Sequence, residues 1–194
     1  MNKVFFDLEW NTGFLDGNSF DEIIEIGAVK TDEEYRQIDG FRRLIRPVIY
    51  RKMNPYIQKI LAITMKDLQG EEPLAAVAKV FFDWCGDCDT LIAWSGNDFG
   101  VLEKNLAHIG MKIPEQLGRY DVQMAYAYRT ENSIRNYALK TAVEAMELPE
   151  PEGQEYHDAY CDAQFTAAIG RALTERYGPL PAVEELQALK NTLV

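Results

Sequence analysis

The sequence has few of the features that mark secreted or membrane-bound proteins. Its three cysteines are an odd number, and it has no run of about 18 uncharged apolar residues. Near the N-terminus, Asp7 stands where a signal peptide would need a long apolar segment. We therefore expect a cytoplasmic protein with free thiols and no membrane partner.

Basic residues are also scarce, with 20 lysines and arginines against 31 acidic residues and a net charge of −11. Such a chain repels polyanions at long range, which excludes simple coating of DNA or of anionic membranes. Residues 36–66 reverse the sign, because Asp39 is their one acid. This basic stretch is either a path for a nucleic acid backbone or a solvated strand edge guarded by charge. Its basic residues are Arg36, Arg42, Arg43, Arg46, Arg51, Lys52, Lys59 and Lys66.

The order of predicted elements indicates an α/β fold. With 194 residues, 47% of them hydrophobic, the chain can bury the core of one domain. Early strands at hairpin-like spacing predict an antiparallel start, and later strands that alternate with helices predict parallel additions. The result is a mixed sheet flanked by helices. Strands are predicted at 4–10, 23–30, 41–47, 90–94 and 119–122, helices at 56–60, 73–84, 97–109, 138–146 and 159–177, and a mobile loop at 149–156.

Asp7 and Glu9 lie two residues apart in the first predicted strand, so both side chains point to the same side. Paired carboxylates near the end of a buried strand are costly without a cation, and a divalent metal would remove the conflict. The alternative is a solvated strand end. About five such acidic triplets are expected by chance in a chain of this composition.

Asp98 follows the strand at 90–94 and opens the next helix. Capping of that helix is the default explanation for the residue taken alone, because Ser95 and Asn97 beside it are also capping residues. Helix starts beyond strand ends are, however, where ligands bind in α/β sheets. A carboxylate there would face the pair on the first strand.

His157 and Asp162 form a third element. On one helix they would lie about 140° apart, so His157 should precede the helix, with Asp158 as its N-cap. His157 then stays at the end of the predicted loop and Asp162 falls early in the helix. A surface histidine beside a helix cap is the alternative.

Taken together, these elements resemble the DEDDh group of 3′-to-5′ exonucleases on the ribonuclease H-like fold, the superfamily of bacterial proofreading subunits and ribonuclease T. Residues 6–9, 94–98 and 157–163 match its three motifs, and residues 61–64 resemble a segment that seats the terminal nucleotide. Proofreading-type members usually continue the first motif directly with two threonines and a glycine, whereas Trp10 and Asn11 stand here before Thr12 and Gly13. Together with Trp94 beside the second motif and with residues 121–123, this departure makes the chain more similar to the sporulation-inhibitor-like and histone-mRNA exonuclease branch.

The resemblance implies a site and a reaction. Asp7, Glu9, Asp98 and Asp162 would hold two divalent cations, Mg²⁺ or Mn²⁺, and His157 would be the general base. The expected activity is 3′-to-5′ hydrolysis of short or single-stranded RNA or DNA, with release of nucleoside 5′-monophosphates. The expected substrate-binding residues are Leu8, Trp10, Asn11, Thr64 and Phe99. For Trp10 and Phe99, core packing is an equal alternative to base stacking.

The resemblance covers about residues 3–172, and we expect residues 1–177 to form the exonuclease domain. Pro179 and Pro181 set off residues 178–194, which we expect to be a C-terminal amphipathic appendage. We expect the apolar stripe of this appendage to pack on its own domain, with a homodimer contact as the alternative. Two other functions are weighed. One is a catalytically silent regulatory domain that binds proteins. The other is a dithiol redox protein that uses Cys85 and Cys88, although this motif is predicted to close a helix where a redox motif should open one.

Overall fold

The computed structural model describes residues 1–149 and 157–193. The predicted loop at 149–156 thus lies, apart from Pro149, outside the described residues. The strands are β1 (Lys3–Leu15), β2 (Asn18–Thr31), β3 (Gln37–Leu44), β4 (Thr90–Ala93) and β5 (Gly118–Asp121). The helices are α1 (Ile57–Ile60), α2 (Met65–Leu68), α3 (Leu74–Cys85), α4 (Gly96–His108), α5 (Val122–Glu131), α6 (Leu139–Ala145), α7 (Ala159–Tyr177) and α8 (Val183–Leu193).

The five strands form one mixed sheet in the order β3-β2-β1-β4-β5. The β1–β2 and β2–β3 pairs are antiparallel, while β1–β4 and β4–β5 are parallel. The predicted fold class is therefore confirmed. Strand β1 is central, but its pairing with β4 ends at Phe5. Beyond that residue, one edge of β1 faces a cleft.

The first hairpin is longer than the sequence pattern predicts. Strand β1 continues to Leu15 and β2 begins at Asn18, joined by a two-residue turn in which Asp16 and Gly17 both have positive φ. Such turns match the twist of an antiparallel pair. The extension has no regular alternation of apolar and polar residues, so the sequence pattern does not reveal it, and backbone pairing with β2 holds it in place.

Helices cover both faces of the sheet. Val4, Phe6 and Leu8 of β1 pack into a cluster with α3 and α4, while Phe5 faces a second cluster with α5, α6 and α7. A bulge in β2 beside Glu9 and Trp10 leaves Ile24 as the extra residue. Ile24 packs against α1, α2 and the segment before them in a third, smaller cluster.

Helix α7 begins unusually close to β2. A Cβ on Gly27 would lie 2.1 Å from the Tyr160 backbone nitrogen and 2.2 Å from the Ala159 carbonyl carbon. Only glycine therefore allows this approach. Because Gly27 pairs with Asp7 across the sheet, the close contact brings the first turn of α7 over the acidic part of β1.

Two helices, α2 and α5, were not predicted from the sequence. Helix α5 follows β5 directly, and it was missed because the small Ala125 and Ala127 form much of its buried side. Helix α8 packs on the same domain, where Leu186 is buried and Tyr128 donates a hydrogen bond to Glu185. In the part of the chain that the structure describes, no helix has both the length and the apolar character needed to cross a membrane.

Candidate active site

A cleft of about 590 Å³ opens along the free edge of β1, beyond the end of β4. It is bounded by β1, the start of α4, the start of α7 and the segment around α1. The described residues that line it are Asp7, Leu8, Glu9, Trp10, Thr12, Asn54, Tyr56, Ile57, Ile60, Leu61, Trp94, Ser95, Asn97, Asp98, Leu139, His157 and Asp162. All five residues proposed from the motifs as catalytic are among them.

Asp98 reaches the cleft because a neighbour caps its helix. The Ser95 hydroxyl accepts a hydrogen bond from the Asn97 backbone N–H at 3.3 Å and donates one to Asp98 Oδ2 at 3.2 Å. Asp98 itself is buried. Its carboxylate is thus oriented by Ser95 toward Asp7 rather than used as the N-cap.

The first turn of α7 brings His157 and Asp162 close together. As the spacing predicts, Asp158 caps this helix, and its Oδ1 accepts a hydrogen bond from the Cys161 backbone N–H at 3.1 Å. The backbone N–H of His157 donates to Asp162 Oδ2 at 3.2 Å. His157 has a φ of +70°, a left-handed conformation that non-glycine residues rarely adopt. This turn leaves the imidazole exposed at the cleft.

The side chains of Glu9, His157 and Asp162 converge. One potential ligand atom from each lies within 4.8 Å of the others. Asp162 Oδ1 is buried and has no hydrogen-bond partner among the described residues. A buried carboxylate oxygen without a partner is costly, and a cation would satisfy it.

Burial and mutual repulsion raise the pKa values of all four acidic side chains. The pKa of Glu9 rises to about 8, chiefly through burial and then through Asp162. The pKa of Asp162 rises to about 7 and that of Asp98 to about 6, again mainly through burial. For Asp7, burial followed by repulsion from Asp98 holds the pKa well above its ordinary value.

This donor set fits divalent cations. The carboxylates provide hard oxygen ligands, which suit Mg²⁺ or Mn²⁺, and the raised pKa values show that the group lacks compensating positive charge. Such pKa shifts in a cleft are typical of functional sites.

Of the five expected substrate-binding residues, two line the cleft and three do not. Leu8 and Trp10 line the cleft. Asn11 is only 1% exposed, and its amide holds the Lys52 carbonyl at 3.0 Å and the Asn54 backbone N–H at 2.8 Å.

Thr64 and Phe99 also lie away from the cleft wall. The Thr64 hydroxyl donates to Asp67 Oδ2 at 2.6 Å in the capping box of α2. Phe99 is buried with its ring edge-on to Phe6, at 5.2 Å between centroids. Neighbouring residues of a helix point in different directions, so Phe99 faces the sheet when Asp98 beside it faces the cleft. For Phe99, the core-packing alternative is therefore the one that the structure shows.

Comparison with known proteins identifies the family. The family model described as "Exonuclease" matches residues 4–169. The chain belongs to the exonuclease family. The family resemblance expected from the motif residues is thereby confirmed. A curated relative, the PolC-type DNA polymerase III of Clostridium perfringens (strain 13 / Type A), is 29% identical over 169 residues, which are 86% of this chain and 11% of that protein. This exonuclease chain thus spans about a tenth of the relative's length.

Solved structures of other nucleases share the fold. The nuclease domain of 3'hExo, a DEDDh family member bound to rAMP, has a TM-score of 0.79 at 16% identity, covering 93% of this exonuclease and 94% of that chain. Cell-death related nuclease 4 (CRN-4) has a TM-score of 0.78 at 14% identity, covering 91% and 64%. At these identities the likeness shows the ribonuclease H-like fold of this exonuclease.

Sequence reasoning missed Glu25, a further buried carboxylate beside the acidic cluster of this exonuclease. Glu25 pairs with Glu9 across the β1–β2 ladder and is fully buried. Burial raises its pKa, and the Arg42 guanidinium, at 2.8 Å from Glu25 Oε1, opposes that shift. An acidic residue among Ile23, Ile24 and Ile26 was the available signal.

The cleft also has apolar lining residues that the motifs do not reveal. Tyr56 is 70% exposed at its mouth, and Ile57, Ile60 and Leu139 line its walls. The aromatic and apolar residues after Pro55 were the signal for Tyr56 and Ile57. An exposed aromatic ring at the mouth of a cleft can stack on a base.

The basic stretch at 36–66 does not act as one surface. Arg36 pairs with Asp32 and Glu34, and Arg42 pairs with Glu25 and Asp158. Arg43 and Arg46 donate to backbone carbonyls. The remaining four are exposed and form no ion pair with a described residue: Arg51, Lys52, Lys59 and Lys66.

Proposed function

We propose that this exonuclease removes nucleotides one at a time from the 3′ end of single-stranded or short nucleic acid and releases nucleoside 5′-monophosphates. The observation that supports this proposal is the convergence of four carboxylates and one histidine in a single cleft. Apolar side chains lie directly beside them, so a phosphodiester and its terminal base have adjoining places to bind.

In this proposal, Asp7, Glu9, Asp98 and Asp162 hold two Mg²⁺ or Mn²⁺ ions. When bound, the cations neutralise charge on the scissile phosphate and favour deprotonation of the attacking water. The chain supplies the oxygen ligands in rigid positions, from β1 and from the first turns of α4 and α7. Ser95 orients Asp98, and the His157 backbone orients Asp162.

His157 is the proposed general base. Its imidazole is exposed at the cleft, and imidazole is the side chain that most often serves as a general base. Its backbone is tied to Asp162, so the imidazole stays close to the carboxylates while remaining accessible to water.

Leu8, Trp10, Tyr56 and Leu61 form the proposed pocket for the terminal nucleotide, since they line the cleft next to Asp7 and Glu9. Asn11 contributes indirectly to this pocket, because its side-chain amide holds the backbone just before Tyr56 in place. Thr64 and Phe99 also contribute indirectly, through the cap of α2 and the packing behind β1.

An experiment is needed to decide between RNA and DNA as the substrate. The 3'hExo domain is bound to rAMP, and the curated relative is a DNA polymerase, so the comparisons support testing both. Turnover of matched single-stranded RNA, single-stranded DNA and dinucleotides, measured side by side, gives the substrate class.

The decisive test uses oligonucleotides labelled at the 3′ or 5′ end, with Mn²⁺, with Mg²⁺ and with EDTA. We expect stepwise shortening from the 3′ end that EDTA abolishes. Asp162→Asn should lose about 10³-fold in turnover, since loss of a metal ligand costs several kcal/mol of transition-state stabilisation. Asp83→Asn on the exposed side of α3 removes the same charge away from the cleft and should retain full activity.

Internal cleavage, shortening from the 5′ end or activity in EDTA would contradict the proposal. A folded wild-type protein that is inert with every cation would instead support the regulatory protein-binding alternative. Retained activity in Asp162→Asn would remove Asp162 from the site.

A further inference from the structure

Asp121 is the last residue of β5 and lies beside the start of α4. It pairs with Ala93, the last residue of the parallel strand β4, so its carboxylate is at the same end of the sheet as the helix that carries Asp98. Asp121 is half-buried, and the described lining of the cleft does not include it. Any effect of Asp121 on the reaction must therefore be transmitted through a neighbour.

The Asp121 carboxylate reaches the first turns of two helices. Its Oδ1 accepts a hydrogen bond from the Met124 backbone N–H at 2.9 Å and caps α5. Its Oδ2 faces Gly96, the first residue of α4, where an added Cβ would lie 3.5 Å from this oxygen. Burial raises the pKa of this carboxyl group, and the backbone N–H groups of Met124, Gly96 and Gln123 oppose the rise. One carboxylate therefore serves two helix N-termini.

The backbone of α5 provides a second link on the other side of Ser95. The Gln123 backbone N–H donates a hydrogen bond to the Trp94 carbonyl at 2.9 Å, while Gly96 faces the carboxylate that caps α5. The Gln123 side chain and the Trp94 indole also donate to one acceptor, the Tyr137 carbonyl, at 2.8 and 3.0 Å. Ser95 is thus held between two neighbours that are both tied to the start of α5.

Ser95 links this anchored segment to Asp98. Its hydroxyl donates to Asp98 Oδ2 at 3.2 Å, so the direction of that carboxylate depends on where the Ser95 backbone lies. The two carboxylates also interact through space, since burial raises the pKa of Asp98 and repulsion from Asp121 adds to the rise. Asp121 can therefore act on Asp98 in two ways, through the position of α4 or through its charge.

We propose that Asp121 is a positioning residue, which sets the direction of the Asp98 carboxylate by anchoring the start of α4 through Gly96 and Ser95. It contacts neither the metal ions nor the substrate. The inference rests on the proposed function, in which Asp98 is a metal ligand, because the groups that orient a metal ligand affect how tightly the metal binds. The ordinary alternative is a cap that stabilises α5 and does nothing for the cleft.

Mn²⁺ binding to the metal-free full chain measures this role without turnover. In calorimetric titration, Asp121→Ala should weaken Mn²⁺ binding by about tenfold, the lower end of the range for groups that orient metal ligands. The Mn²⁺ concentration for half-maximal turnover should rise by the same factor, and excess Mn²⁺ should restore most of kcat. KM for a labelled single strand should not change, since the proposed nucleotide pocket lies on β1 and around α1.

Two further variants guard against a loss of folding. Asp121→Asn keeps the shape of the side chain but offers one acceptor oxygen where the carboxylate offers two, so it should weaken Mn²⁺ binding in the same direction. Asp32 is the matched control, because its Oδ1 accepts from the backbone N–H groups of Glu34 and Arg36 at 3.0 and 2.9 Å. It follows Thr31, whose partner Lys3 begins β1, far from the acidic part of that strand. Asp32→Ala should lower stability and leave Mn²⁺ binding unchanged.

A double-mutant cycle separates position from charge. In an Asp98→Asn background, Asp121→Ala should change Mn²⁺ affinity by less than about twofold, because the carboxylate that it positions is already lost. An equal loss of affinity in both backgrounds would show that the Asp121 charge acts at a distance, and it would overturn the inference. Unchanged Mn²⁺ affinity in Asp121→Ala alone would also overturn it.

The wild-type protein tests the proposed function separately. If it binds Mn²⁺ but leaves labelled strands intact, the proposed function is contradicted, while the ratio of the wild-type and Asp121→Ala affinities still decides the role of Asp121. If it degrades the strands and Asp121→Ala binds Mn²⁺ equally well, the inference alone is overturned. A wild-type protein that binds no Mn²⁺ would overturn both.

Discussion

Arg42 and Asp158 are joined by an ion pair of 2.6 Å between Arg42 Nη2 and Asp158 Oδ2. The same guanidinium donates through Nε to Glu25 Oε1 at 2.8 Å. Arg42 thus connects β3, β2 and the residue that follows His157. Because Asp158 also caps α7, this single side chain secures the turn from which His157 and Asp162 enter the cleft.

Replacing Arg42 should therefore affect both stability and catalysis. Arg42→Ala leaves the buried Glu25 carboxylate without its cation, and we expect a loss of about 1–3 kcal/mol in the free energy of unfolding. This expected loss lies below that for a fully buried pair because Arg42 is half exposed. We also expect kcat to fall roughly tenfold or more, since a loosened turn misplaces His157. Urea denaturation and steady-state kinetics measure the two effects.

A second substitution separates these effects. In Arg42→Ala/Glu25→Gln, the uncompensated buried charge is removed, so stability should recover while kcat stays low. Arg42→Lys keeps the charge but not the two-pronged geometry, and it should restore only part of kcat. Full catalytic recovery in the double variant would contradict the positioning role of Arg42.

The raised carboxylate pKa values predict how stability depends on pH. The pKa of Glu9 is about 8 and that of Asp162 about 7 in the fold, against ordinary values of 4.5 and 3.8. Between about pH 4 and pH 8 the folded state therefore binds more protons than the unfolded chain. The metal-free protein should lose stability as pH rises through this window. Each carboxyl group that is protonated only in the folded state contributes a slope of about 1.4 kcal/mol per pH unit.

Divalent cations should reverse this trend, because they take the place of the bound protons. We expect Mg²⁺ or Mn²⁺ to raise Tm more at pH 8 than at pH 6. Asp162→Asn should raise the Tm of the metal-free protein at pH 8, whereas Asp83→Asn should follow the wild type. Thermal denaturation with EDTA or with metal gives these values, and an equal metal-induced shift at both pH values would exclude the acidic cluster as the binding site.

Gly27 should tolerate no side chain. In Gly27→Ala the new Cβ meets backbone atoms of Ala159 and Tyr160 at 2.1–2.5 Å, so α7 must move and Asp162 with it. We expect a loss of about 1–3 kcal/mol in stability together with a fall in kcat. Denaturant titration and kinetics on the same samples measure both.

Gly100 provides the matched control for this substitution. It lies within α4, and a Cβ there would meet nothing within 4 Å. Gly100→Ala should stabilise the protein by up to about 1 kcal/mol, through helix propensity, and leave kcat unchanged. If Gly27→Ala proved as harmless as Gly100→Ala, the close approach of α7 to β2 would be wrong.

The cysteines should be chemically silent in the folded protein. Cys85, Cys88 and Cys161 are buried, and burial raises the pKa of Cys85 to about 12 and that of Cys161 to about 11. As the sequence predicts, Cys85 closes α3 and does not open a helix. We expect slow reaction with thiol reagents until the protein unfolds, and normal turnover for Cys88→Ser. A turnover that depended on the oxidation state of Cys85 and Cys88 would favour the dithiol redox hypothesis.

Parts of the fold could be predicted because their signals are local. Helix α7 begins and ends where the periodicity and Asp158 place it, and β4 lies within one residue of its predicted bounds. The outer half of the first hairpin could not be predicted, because backbone pairing rather than an apolar face sustains it. Helix α5 was hard to recognise because two of its four buried residues, Ala125 and Ala127, are alanines, which add little to an apolar pattern.

The sequence alone determined which side chains can carry the chemistry. Strand alternation puts Asp7 and Glu9 on one side, and a helix cap separates His157 from Asp162 at a workable spacing, so both relationships follow from neighbours along the chain. Tertiary structure alone decided which aromatic rings meet the cleft. Trp10 lines it and Phe99 packs behind it, although both adjoin a motif acid. The direction of an apolar side chain depends on what packs against its element, and only the assembled sheet and helices specify that.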